Sequence, residues 1–317
     1  MNVVTRLGLC AALVCACVCA CKPSQGTANK LSISGAWALY PMAVAWSDQY
    51  RKLHPEVTID ISAGGAGKGM ADVLSGAVDL GMVSREVNPA ESAKGAWSIA
   101  VVKDAVVPTV SADNPALDAL MARGVTQAEL RQIWLDATIT SWSFAKPELA
   151  APLHAYTRSD ACGAAETWAK YLGKNQEDLK GTGVYGDPGV AEAVRADKLG
   201  LGFNNLGFVY DAKTKRPVPG LRVVPLDLNG NHVVDPDEQI YDTLDALTAA
   251  IAAGRYPSPP ARDLYFVSHG PPKSPVVVDF VRFALTDGQA SVPAAGYVKL
   301  APEKLASELA RLPATPR

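Results

Sequence analysis

Apolar and polar positions follow two rhythms along this chain. Short β-branched runs predict strands over 31–34, 57–61, 79–83, 100–110, 153–157, 199–203 and 264–267. Between them apolar residues return at helical spacing, as in Ala43, Trp46, Tyr50 and Leu53, which form one buried stripe behind Pro41. Further helices are predicted over 70–75, from the capping box Thr126-Gln127-Ala128-Glu129 through Trp134, and over 163–171, 239–254, 276–285 and 303–312. Three strand-to-helix units between Leu31 and Arg85 predict an α/β sheet with crossovers.

The N-terminus obeys a different pattern. Arg6 is followed by an unbroken apolar run from Leu7 to Ala20, the length of an export signal and short for a membrane span. An uncleaved anchor helix is the alternative. Cys10, Cys15, Cys17, Cys19 and Cys21 all fall here, but Ala, Val and Leu separate them and no histidine is near, so a metal cluster is not expected. Val18-Cys19-Ala20-Cys21 resembles a bacterial lipobox, which implies a signal over 1–20, a lipidated Cys21 and a polar tether over 21–30. Processing would leave Cys162 as the only free thiol, with no intrachain disulfide.

The chain has 317 residues, enough for two cores, and the pattern divides it into a first lobe over 31–108, a second over 109–239 and a return to the first over 240–317. The expected hinge lies near 107–111. The formal net charge of -2 excludes a basic field for nucleic acid, so any anion must be held by local geometry.

Five segments carry candidate chemistry. In order they are Gly35-Ala36-Trp37-Ala38-Leu39-Tyr40-Pro41, Gly64 to Gly69, Asp79 to Arg85, Arg158 to Thr167, and Thr286-Asp287-Gly288-Gln289 with Ala295-Gly296-Tyr297-Val298. Together they resemble the phosphate-binding proteins of phosphate ABC importers over almost the whole mature chain. The resemblance implies a two-lobe type II periplasmic-binding-protein fold whose ligand cleft closes over a dehydrated oxyanion. It also implies an ABC permease as partner, a monomeric receptor in the periplasm or at the cell surface, and no cofactor requirement.

The residues agree with that implication. Ala38-Leu39-Tyr40, Gly65-Ala66-Gly67 and Cys162-Gly163-Ala164 read as strand-to-helix turns, whose N–H groups point at an anion. Ser84 adds a hydroxyl, and Arg158 a planar fork for oxyanion oxygens; a surface salt bridge is the plainer use of such an arginine. Departures from the family pattern are also visible. Cys162, Gly163 and Ala164 stand where serine, glycine and threonine are usual, and Leu39 replaces a threonine. Arg85 occupies the place of an aspartate that accepts the anion's proton in many members, although others carry Ser-Arg; Glu86 is the nearest acidic candidate. Phosphate is the leading ligand, with sulfate, molybdate, tungstate or a sensory role as alternatives.

Two motifs point elsewhere. Asp227, Asn229, Asn231, Asp235 and Glu238 match a calcium loop, with the Val233 carbonyl at its seventh position. His232 replaces the turn glycine there, and histidine tolerates positive φ better than most residues. A structural calcium and a polar Asn-Gly turn are both compatible with this pattern. Cys162 could instead serve a hydrolase, but none of His54, His154, His232 and His269 sits in a catalytic motif.

Overall fold

The structure is a computed structural model that describes residues 29–314. Parallel strands β1 (Lys30–Gly35), β2 (Thr58–Ala63) and β3 (Leu80–Val83), with β1 central, are linked by α1 (Tyr40–Leu53) and α2 (Ala66–Leu74). After α3 (Pro89–Ala93) the long strand β4 (Ala96–Ser111) leaves this unit. There follow α4 (Leu117–Arg123), β5 (Val125–Thr126), α5 (Gln127–Arg131), β6 (His154–Arg158), α6 (Gly163–Tyr171), β7 (Thr182–Val184), α7 (Gly186–Ala196) and β8 (Gly200–Asn205). The chain then runs through β9 (Leu221–Val223), β10 (Leu226–Asp227), α8 (Leu244–Ala252), β11 (Ala261–His269), α9 (Pro275–Leu285) and α10 (Pro302–Arg311).

The main sheet has the order β2-β1-β3-β11-β4-β8-β6-β7, with β9 also on β4. Both β4 and β11 run antiparallel through the middle, and they share two separate cores. One contains Trp46, Met82, Val102, Leu264 and Phe280; the other contains Ala105, Trp134, Trp168, Phe203 and Ala261. Each core buries several large side chains completely, and truncating one of the tryptophans would cost roughly 3–5 kcal/mol. Trp46 also spends its indole N–H on the Gly288 carbonyl at 2.9 Å, which ties the Thr286–Gln289 segment to α1.

Two boundaries differ from expectation. Leu244, Leu247 and Ile251 of α8 pack in the second core, so the return to the first lobe is β11 and not residue 240. That helix starts at Leu244 because Thr243 caps it, accepting from Ala246 N at 3.1 Å. The box at Thr126 forms as expected, with Thr126 and Glu129 capping each other, but the helix passes at Gln132 into a π-type turn. The sequence pattern does not reveal α7, because Pro188 and Gly189 look like breakers. Pro188 lies in the first turn, where a missing N–H costs nothing. Among the described residues no helix is long and apolar enough to cross a membrane.

Candidate functional site

The carboxyl ends of β1, β2 and β3 face those of β6, β7 and β8 across a cleft, the usual ligand position in open α/β sheets. Four helices start there: α1 and α2 from one lobe, α6 and α7 from the other. The cleft is shut. Gly67 N, in the first turn of α2, donates to the Ala161 carbonyl at 3.1 Å, and Gly163 packs directly on Ser84. A Cβ on Gly163 would fall 2.2 Å from Ser84 Oγ and 2.4 Å from its carbonyl oxygen, so glycine is what lets the lobes meet. Gly65 caps α2 at φ +91°, with the Asp160 carboxylate on its open side.

Arg158 is 5% exposed and ends β6 at the floor of this cleft. Its Nε and Nη2 donate to Asp160 Oδ1 and Oδ2 at 2.8 and 2.6 Å, and its Nη1 donates to Asp187 Oδ2 at 2.5 Å. Burial works against its charge, but Asp187 and Asp160 outweigh that and hold its pKa above the ordinary arginine value. These bonds fix the guanidinium plane and leave one N–H on each terminal nitrogen for a further acceptor. Arg158 is therefore buried in a clamp and is not part of a surface salt bridge. Asp160 lies within the candidate segment 158–167 without a sequence signal for this role, and Asp187 comes from α7, which the sequence pattern does not reveal.

The turns assigned to the site converge here, but several of their N–H groups are already used. Leu39 N donates to Ala36 O, Tyr40 N to Ala36 O and Trp37 O, and Gly65 N to Gly35 O. Donors remain at Ala66, Gly163 and Ala164, whose first-turn N–H groups have no intrahelical acceptor. Ala38 lies just before α1, its carbonyl fixed by Tyr297 Oη at 2.7 Å. Ser84 is buried at the end of β3 beside Gly163.

Three expectations change. Arg85 spends Nη1 and Nη2 on Glu91 at 2.8 and 2.6 Å and Nε on Glu166 at 2.8 Å, so its side chain bridges the lobes and is not presented to an anion. Glu86 is exposed and lines an outer cavity of about 250 Å³ with Lys103, Lys170 and Tyr265, so it is not the proton acceptor. Cys162 is the N-cap of α6, its sulfur accepting from Ala165 N at 3.4 Å, the task a serine hydroxyl performs elsewhere. Burial pushes the thiol up to about 12, which favours the protonated form at neutral pH. The histidines lie elsewhere: His154 pairs with Asp197, His54 stacks on Tyr50, His232 sits beside Asp227, and His269 ends β11 against Gly95.

A second constellation lies on the far side of the second lobe. Asp227 and Glu238 are buried, and His232 takes φ +58° as the turn residue. Asp227 accepts from Gly230 N and His232 N at 2.7 and 2.8 Å, while Glu238 accepts from Leu228 N and Asp235 N at 2.7 and 3.2 Å. Asn229 and Asn231 donate their amides to Asp235 at 2.7 and 2.9 Å, and Val233 N bonds Asn231 Oδ1 at 2.8 Å. Among the described residues no three His, Cys, Asp or Glu side chains converge as a metal cluster. Cys21 lies outside the described residues.

Comparison with known proteins places this architecture. Phosphate-binding protein PstS 2 of Streptococcus pneumoniae is 34% identical over 119 residues, a match spanning 38% of this chain and 38% of that relative. Phosphate-binding protein PstS of Pseudomonas aeruginosa is 26% identical over 312 residues, 90% of this chain and 87% of the relative. A substrate-binding protein from Clostridium perfringens, solved with bound phosphate, superposes with a TM-score of 0.71 at 19% identity, covering 86% of this chain and 100% of that one. An ABC-type phosphate transport receptor from Vibrio cholerae gives a TM-score of 0.61 at 16% identity, covering 85% and 100%. At such identities the structures speak for the fold, and the two-lobe α/β architecture expected from the sequence is theirs. The profile of the PBP superfamily domain matches residues 22–288, and the chain belongs to that superfamily.

Proposed function

We propose that this protein is an extracytoplasmic receptor that captures inorganic phosphate between its lobes and delivers it to an ABC permease. The observation that carries the reading is Arg158, buried and clamped by Asp160 and Asp187 where α2 and α6 begin on opposite walls of the cleft. Two preset guanidinium donors, first-turn N–H groups from both lobes and a serine hydroxyl suit a small tetrahedral oxyanion. The phosphate-binding relatives favour phosphate among such anions. A binding role also fits Cys162, whose thiol is capping a helix with no histidine against it.

Two further elements belong to this proposal. Cys21 is the lipid attachment site that keeps a monomeric receptor at the membrane, and Cys21→Ser would abolish lipid labelling in cells. The loop from Asp227 to Glu238 takes a structural calcium ion, because each carboxylate oxygen bonded to a backbone N–H still has a lone pair to give.

Calorimetry tests the central claim. Phosphate should bind the wild-type protein, and sulfate should be rejected less strictly than by a receptor whose cleft keeps the usual aspartate. Arg158→Lys, which keeps a positive charge beside Asp187 and loses the fork, should weaken phosphate at least tenfold. No oxyanion binding by the wild type would sink the function, and full affinity in Arg158→Lys would sink the site.

A further inference from the structure

Strands β11 and β4 pair so that Arg262 stands directly opposite Asp104. This pair lies where the chain passes between cores, since Val102 and Leu264 belong to the first and Ala105 and Ala261 to the second. The Arg262 guanidinium reaches in three directions. Nη1 donates to Asp104 Oδ2 at 3.2 Å, Nε to the Ser84 carbonyl at 3.3 Å, and Nη2 to Asn205 Oδ1. Ser84 directly follows β3 in one lobe and Asn205 ends β8 in the other, so one side chain holds the hinge and both walls.

The connection continues to the anion site. Asn205 donates its Nδ2 and its backbone N to Asp187 Oδ1 at 2.7 and 3.3 Å. The other oxygen of Asp187 receives Arg158 Nη1 at 2.5 Å. Ser84, Arg262, Asn205, Asp187 and Arg158 therefore form one hydrogen-bonded path beneath the cleft, with a proposed anion contact at each end.

We infer that Arg262 is a positioning residue for cleft closure, which holds Ser84 and Arg158 in the one relative orientation where both reach the anion. The inference rests on the phosphate reading above. Rotation of the lobes about β4 and β11 would move Ser84 and Asn205 apart, and the guanidinium could then keep only one of them. Charge pairing alone does not need this geometry. A lysine could neutralise Asp104, whereas the bridge needs the planar fork of arginine with its three separately aimed nitrogens. The bonds to Ser84 and Asn205 belong to the closed state, so their loss should appear as faster release of ligand and not as slower capture.

The test compares wild type, Arg262→Lys, Asn205→Ala and the double variant, with phosphate binding followed by calorimetry and stopped-flow fluorescence. Arg262→Lys should weaken phosphate at least tenfold, nearly all of it in dissociation rate. The ligand-free melting temperature should stay within about 3 °C of the wild type. Asn205→Ala should add little on top, since both changes break one path. Wild-type binding combined with affinity within twofold in Arg262→Lys overturns the bridge and leaves the phosphate reading standing. If the wild type binds no phosphate, the reading and the bridge fall together. Should Arg262→Lys not fold, the charge-balanced pair Asp104→Asn with Arg262→Gln is measured against the same thresholds.

Discussion

Arg85 Nε lies 2.8 Å from Glu166 Oε2, which joins the segment after β3 in one lobe to helix α6 in the other. Glu91 holds the remaining edge of the same guanidinium from within the first lobe. The Glu166 contact is thus a clasp across the shut cleft.

Glu166→Gln tests the clasp while leaving the Arg85–Glu91 pair intact. Because Glu166 is 30% exposed, the pair is worth only about 0.5–1 kcal/mol. Phosphate affinity should fall roughly two- to fivefold, most of it through faster release. The difference should shrink at high salt, and calorimetry at low and high ionic strength checks it.

Buried Asp104 predicts an unusual pH response. Burial, partly offset by Arg262, raises its pKa to about 6. Between about pH 6 and pH 4 the folded protein holds a proton here that the unfolded chain releases, so stability should rise on acidification. The gain is at most on the order of 3 kcal/mol. Below that window the sign reverses. Although burial opposes it, Lys68 and Ser34 hold Asp72 below its ordinary value, Arg85 does so for Glu91, and His154 for Asp197; their stabilisation is lost as they protonate. Denaturant melts from pH 7 to pH 3 should show a maximum near pH 4–5 that Asp104→Asn flattens. A stability that declines steadily from pH 7 would contradict this.

Much of the site was readable because its signals are local. Arg158 follows a strand and precedes Asp160-Ala161-Cys162-Gly163, and the glycines of the first α2 turn lie in one run. Its supporting shell was not readable for the opposite reason. Asp187, Asn205 and Arg262 come from three distant segments that meet only through the antiparallel passage of β4 and β11. Asp187 was further hidden because Gly-Asp-Pro-Gly looks like a turn and is the start of α7. Arg85 is ambiguous in the sequence, since an arginine beside a strand end suits an anion as well as it suits a carboxylate. What decided between them was Glu166, a residue of the other lobe. In the fold, the longer strands and every long helix except α7 follow their periodicity. The lobe boundary at residue 240 does not, because the apolar stripe of α8 fits either core.

The loop from Asp227 to Glu238 predicts a calcium-dependent melting temperature. A weak single-loop site at a calcium concentration well above its dissociation constant should add about 2 kcal/mol. For a chain of this size that is a shift of roughly 4 °C relative to chelator. Glu238→Gln removes the charge at the closing position and should abolish the calcium-dependent part, whatever it does to the melt in chelator. Identical melts with calcium and with chelator would show a self-satisfied turn, held by its bonds to Leu228 N and Asp235 N.

The sharpest prediction concerns Gly163, the first residue of α6. Within its own lobe the change Gly163→Ala is harmless or slightly favourable, since alanine is the better helix former by up to about 1 kcal/mol. Across the cleft it is not, because the new Cβ would stand 2.2 Å from Ser84 Oγ and 2.4 Å from the Ser84 carbonyl oxygen. The hydroxyl could rotate away, but the carbonyl belongs to the backbone at the end of β3 and cannot. Relief therefore requires the lobes to separate by about an ångström or more, which is enough to break the Gly67–Ala161 hydrogen bond and to pull Ser84 from any anion held on Arg158. Phosphate affinity should fall at least tenfold, while the ligand-free melting temperature stays the same or rises. Small-angle scattering with phosphate present should show a larger radius of gyration than the wild type. A variant that binds phosphate normally and closes normally would mean that this cleft is not where the anion sits.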